Sequence, residues 1–110
     1  MSYNIILSDK FQRRAKKLSK KYHSFKADLI EIAQSLRENP IQGEALGKDC
    51  YKVRLAISSK NKGKSGGARL ITCVKIQKGN IYFLSIYDKS EQSTIEDYEI
   101  DDLLKAEGLL

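Results

Sequence analysis

Apolar residues recur every three to four positions up to residue 36 and every second position from residue 51 onward, so the chain must build helices first and a sheet afterwards. Phe11, Ala15, Leu18 and Tyr22 form one helical stripe, with Ser8 or Asp9 available as its N-cap. Phe25, Leu29, Ile32, Ala33 and Leu36 form a second, which begins at Ser24 and stops at "ENP" because Pro40 disfavours helical geometry at Asn39. The two stripes predict a helical hairpin, preceded by a short strand in "YNIIL". After a loop, "IQGEALGKDC", the runs "YKVRLAI", "ARLITCVKI" and "IYFLSIY" are rich in β-formers and predict an antiparallel meander, with "QKGN" as its second turn. "STIEDYEIDDLLKAEG" closes the chain as a helix, with a capping box in Ser93 and Glu96 and a C-cap glycine in Gly108. The order β-α-α-β-β-β-α predicts an α+β fold: a small, mainly antiparallel sheet packed against an N-terminal helical hairpin.

At 110 residues and 41% hydrophobic content the chain fits one domain, residues 1–110, without internal repeats. Cys50 and Cys73 are too few and too far apart for a disulfide framework or a paired-cysteine zinc site, and they read as small buried apolar residues. No segment approaches the roughly 20 apolar residues of a membrane span, so the expectation is a cytoplasmic protein with no membrane partner. The net charge is +6, but its distribution says more. Residues 1–90 hold 19 Lys/Arg against 7 Asp/Glu, a net +12, while residues 91–110 hold 1 against 7, a net −6. A basic body of this kind suits an anionic partner, or simply a solvated face.

Strand alternation decides which cations act together. Val53, Leu55 and Ile57 share one face of their strand, which leaves Lys52 and Arg54 on the other. In the next strand Leu70, Thr72, Val74 and Ile76 are expected to face the helices, so Arg69 joins Lys52 and Arg54 on a solvent-exposed face. Tyr87 ends the last strand, just before Lys89, at the same rim. Taken singly, Lys52 and Arg54 are ordinary solvated cations, Tyr87 an amphipathic core-edge residue, and His23 a cap or surface residue. Between the first two runs, "SSKNKGKSGGAR" is long for a hairpin connection. Lys60, Lys62 and Lys64 interleave there with glycine and can follow a phosphate backbone, or belong to a disordered connection.

The combination "CYKVRLAI", a Lys/Gly-rich loop, "SGGARLITCVKI" and "IYFLSIYDKSE" resembles the RelE/HigB toxins of bacterial type II toxin–antitoxin modules over nearly the whole chain. The resemblance implies a RelE-like fold and a metal-independent, cofactor-free endoribonuclease that cuts mRNA in the ribosomal A site by attack of a ribose 2′-hydroxyl. By the same resemblance, Lys52 and Arg54 match the family's paired basic positions, Lys52 being suited to proton exchange. Arg69 matches the arginine that holds the scissile phosphate, Lys89 a basic residue near the last strand, and Tyr87 an aromatic that stacks on a base or assists proton transfer, with Tyr98 as its competitor. Lys60, Lys62 and Lys64 become a loop that grips ribosomal RNA. The implied partners are a cognate antitoxin, the ribosome with its mRNA, and operator DNA indirectly through the antitoxin complex. Two alternatives share the fold: a ParE-like inhibitor of DNA gyrase, and a degenerate member that binds antitoxin and DNA only.

Overall fold

Ser8 opens the first helix by accepting the Phe11 backbone N–H at 3.0 Å while its hydroxyl donates to the Leu84 carbonyl at 2.8 Å, which ties the helix start to the sheet. The computed structural model describes residues 2–110, in the order β1 (Asn4–Leu7), α1 (Asp9–Lys21), α2 (Phe25–Glu38), β2 (Glu44–Gly47), β3 (Cys50–Leu55), β4 (Ala68–Lys75), β5 (Asn80–Asp88) and α3 (Asp97–Ala106). The five strands form one sheet in the order β1-β5-β4-β3-β2. Neighbours are antiparallel except β1 and β5, which run parallel.

The expected architecture gains one strand. Glu44–Gly47, placed in a loop by the sequence, pairs with β3 through Glu44–Lys52 and Ala45–Tyr51. The turn between them uses Lys48 and Asp49 at φ 55° and 64°, a left-handed pair usually filled by Asn-Gly, so its residues do not announce a hairpin. The final helix is shorter than expected. Its capping box is Glu96 with Glu99 rather than Ser93 with Glu96. Its end is as expected: Gly108 takes φ 70°, and the Leu109 and Gly108 N–H groups close onto the Leu104 and Lys105 carbonyls at 2.8 and 3.1 Å.

Each face of the sheet has its own core. The helical hairpin covers one, where Phe11, Leu18, Phe25 and Leu36 meet Val53, Leu55, Leu70, Val74, Ile81, Phe83 and Ile86. Phe11 and Phe83 pack edge to face with centroids 5.3 Å apart. Ile76 departs from the alternation: the strand ends at Lys75, and Ile76 is 61% exposed. On the opposite face, α3 brings Ile100, Leu103 and Leu104 onto Cys50, Ile71, Cys73, Leu84 and Tyr87. Both cysteines are buried and unoxidised, facing each other across β3 and β4.

A bulge settles where Tyr87 points. Ile71 pairs with Ser85 but Thr72 pairs with Phe83, leaving Leu84 as an extra residue in β5. Strict alternation from Ile81 would turn Tyr87 toward the hairpin. The extra residue moves it to the α3 face instead, opposite Arg69.

Candidate functional site

The β3–β4 and β4–β5 registers place Arg54 opposite Arg69 and Arg69 opposite Tyr87, forming a row across three strands on the α3 face. The Val74 N–H donates to the Asp49 carbonyl at 2.9 Å, which brackets Cys50 and Cys73 as a pair without direct ladder bonds. Four residues along the strands, Arg54 and Arg69 repeat that geometry, in which Cα atoms lie only about 4.5 Å apart. Two like charges directly opposite each other destabilise a sheet. Lys52 stands on the same face one pair further on, opposite Ile71, with its ammonium 3.5 Å from the Glu44 carboxylate.

The members of the row differ in surroundings. Arg54 is exposed, whereas Arg69, expected on a solvent-exposed face, is only 3% exposed. Its Nη1 donates to the Lys64 carbonyl at 2.8 Å and the Ala68 carbonyl at 3.1 Å, and Nη2 to the Ser65 carbonyl at 3.2 Å. Burial, and then the neighbouring Arg54 charge, pull its pKa down from the ordinary guanidinium value, and it remains a cation. Tyr87 is 3% exposed, and its hydroxyl has no hydrogen-bond partner among the described residues. Burial pushes the phenol pKa up, with Arg69 opposing, so the hydroxyl keeps its proton at neutral pH.

The three loop lysines, expected to act together, have three different fates. Lys64 lines a groove of about 400 Å³ with Lys52, Arg54, Glu44 and Gln42, and so belongs beside the row. Lys62 is exposed. Lys60 turns inward: its Nζ sits 2.9 Å from Asp88 Oδ1, with the lysine side chain 9% and the carboxylate 0% exposed. Its charge is therefore held by Asp88 rather than free at the surface.

Lys89 lies one residue past β5, exposed, and its backbone N–H donates to the Gly67 carbonyl at 3.1 Å. Tyr98 is 67% exposed on α3 and His23 is exposed in the turn between α1 and α2.

A second cationic wall was not singled out by the sequence reading. Lys10, Arg13, Arg14 and Lys17 line a groove of about 490 Å³ that also reaches Tyr87 and Gln92. Their spacing of three, four and seven residues along α1 was the available signal, masked by Lys16, Lys20 and Lys21 on the same helix. Among the described residues, no group of three or more His, Cys, Asp or Glu side chains could hold a metal ion, and no helix is long and apolar enough to cross a membrane.

A helical hairpin on one face of a five-stranded sheet and a short helix on the other make up a small α+β fold that solved toxins of toxin–antitoxin modules share. The match extends to sequence: the model of the family described as RelE toxin of RelE / RelB toxin–antitoxin system covers residues 4–109, and the chain belongs to that family. The Escherichia coli RelE toxin in the free state, a doubly substituted mutant, is similar with a TM-score of 0.61 and 20% identity over 84% of this chain and 90% of that one. The E. coli RelBE toxin–antitoxin complex contains a chain similar at TM-score 0.51 and 24% identity, over 79% of this chain and 96% of that one. The isolated E. coli RelE toxin gives a TM-score of 0.51 and 20% identity, over 94% and 98%. These structures share the fold.

Proposed function

We propose that this protein is the toxin of a type II toxin–antitoxin module and cuts ribosome-bound mRNA in the bacterial cytoplasm. The observation that carries the reading is the row Arg54–Arg69–Tyr87 with Lys52 beside it. Two arginines facing each other as a close pair, with an orphaned buried hydroxyl at the end of the row, cost stability unless an anion joins them. A phosphodiester supplies that anion.

The reaction needs a proton acceptor at the 2′-hydroxyl, a positive field at the phosphorane and a proton donor at the leaving 5′-oxygen. The 2′-oxygen bonds to phosphorus, the bond from phosphorus to the 5′-oxygen breaks, and the products are a 2′,3′-cyclic phosphate and a 5′-hydroxyl. Lys52, half-buried beside the row, accepts the proton of the 2′-hydroxyl as a free amine, having first given its own proton to solvent. Arg54, exposed, contacts the phosphate. Arg69 supplies fixed charge from below, its fork held by loop carbonyls. The protonated Tyr87 phenol, with no hydrogen-bond partner among the described residues, is suited to donate to the 5′-oxygen or to a phosphate oxygen once its buried hydroxyl is uncovered.

Lys62, Lys64 and the α1 cations extend a positive surface on either side of the row, where ribosomal and messenger RNA would lie. The similar E. coli chain is found in a toxin–antitoxin complex; an antitoxin of this protein would neutralise it by covering or distorting the basic face, and would carry it to operator DNA. The test is purified protein added to programmed ribosomes, with the mRNA mapped by primer extension. A cut within the A-site codon, absent for free mRNA, is expected. Intact mRNA together with inhibited DNA gyrase would overturn the reading in favour of a gyrase inhibitor.

A further inference from the structure

Asp88 follows Tyr87 in β5 and turns to the opposite face of the sheet, where its carboxylate is fully buried. Four donors reach it: Tyr22 Oη at 2.5 Å, Lys60 Nζ at 2.9 Å, the Ser90 N–H at 2.9 Å and Ser90 Oγ at 2.8 Å. Lys21 Nζ stands 4.0 Å away. Burying a lysine and an aspartate together is costly, and an apolar pair of similar volume would serve stability as well or better. What the ion pair adds is a fixed position for the loop that carries Lys60.

That loop runs from residue 58 to residue 67. Its start is held at the beginning of α2, where Asp28 accepts from the Ser58 N–H at 2.8 Å and Ser24, the residue before the helix, from the Ser59 N–H at 2.9 Å. Its end is held by Gly67, whose carbonyl accepts from the Lys89 N–H and which passes so close to β3 that a Cβ would lie 2.1 Å from the Leu55 carbonyl oxygen. Between these ends, Lys60 is the residue whose side chain is anchored in the body. Four and five residues on, the carbonyls of Lys64 and Ser65 accept from the Arg69 guanidinium. Since Ala68 pairs with Asp88 and Arg69 with Tyr87, anchor and guanidinium lie at adjacent rungs on opposite faces of one sheet.

We propose that the buried Lys60–Asp88 pair is the tether that seats the Arg69 guanidinium, making Lys60 and Asp88 positioning residues for RNA cleavage although neither touches RNA. The cleavage half rests on the function proposed above; the tether half stands on this structure alone.

Two readouts keep them apart. The first is side-chain NMR of the Arg69 guanidinium, assigned by its loss in Arg69→Lys. Its N–H protons should exchange more slowly than those of exposed Arg54 in the wild type, and as fast as those in Lys60→Met. The second is single-turnover mRNA cleavage at saturating ribosomes, per folded protein. Lys60→Met should cut roughly 10- to 100-fold more slowly with ribosome affinity unchanged, as small misplacements of a catalytic group do. Lys60→Arg, which keeps a cation for Asp88, should recover both. Should Lys60→Met fail to fold, Asp88→Asn, which retains partners for Tyr22 and Ser90, should show the same pair of losses. Unchanged Arg69 protection, or a loss of affinity with a normal saturating rate, would overturn the proposal. If the wild type cuts no RNA, the functional reading fails and the exchange measurement alone decides the tether.

Discussion

Arg54 and Arg69 oppose each other across two strands, but only one of them holds the fold together. Arg54 is exposed and faces a like charge, so Arg54→Ala should leave thermal stability within about 0.5 kcal/mol of wild type, or raise it. Arg69→Ala removes three hydrogen bonds to loop carbonyls and should cost roughly 2–3 kcal/mol, visible as a lowered melting temperature. Tyr87→Phe deletes a buried hydroxyl that has no partner among the described residues and should keep or increase stability while depressing cleavage. Asp88 makes a pH prediction. Burial alone would raise its pKa, but the hydrogen bonds from Tyr22, Lys60 and Ser90 outweigh burial and hold the carboxyl well below its ordinary 3.8. A depressed folded-state pKa contributes stability above 3.8 that is lost as pH falls through the folded value. Acid-unfolding curves of the wild type should therefore drop more steeply below about pH 4 than those of Asp88→Asn.

Among the elements, the 58–67 loop separates what the sequence could reveal from what it could not. Alternation correctly placed Lys52, Arg54 and Arg69 on one face, because side-chain direction in a strand depends only on period. It could not show that Arg69 is buried, since the cover comes from loop carbonyls rather than from any side-chain pattern. Nor could it show that Tyr87 belongs with Arg69, which depends on a bulge at Leu84. The lysines of the loop are indistinguishable as letters. Only Asp88, 28 residues beyond Lys60, distinguishes an anchor from a surface charge. The strand Glu44–Gly47 was hidden for a related reason: it is short and its turn is Lys-Asp. The loop's division of labour predicts that Lys62→Ser weakens ribosome binding and lowers its log–log salt slope by somewhat less than one unit, with stability unchanged. Equal salt slopes for Lys62→Ser and wild type would remove Lys62 from the RNA surface.

Across the whole molecule, charge is divided as the sequence implied: a +12 body precedes a −6 tail that includes α3. α3 packs by Ile100, Leu103 and Leu104 and is pinned at one point by an ion pair between Asp101 and Lys48. The body then presents its cations to solvent on α1, β3 and the loop. An antitoxin that meets such a surface should associate more slowly as salt rises, the dissociation rate changing less. An association rate indifferent to ionic strength would mean that apolar contacts govern the encounter. The cross-strand row is the proposed place of RNA cleavage. The most direct test is single-turnover cleavage on saturating ribosomes by wild type, Arg54→Ala and Tyr87→Phe, each shown folded by its melting curve. Cleavage by the wild type and a loss on the order of 100-fold in each variant are expected, the size seen when an oriented charge or donor is removed. Wild-type rates in both folded variants would contradict that placement.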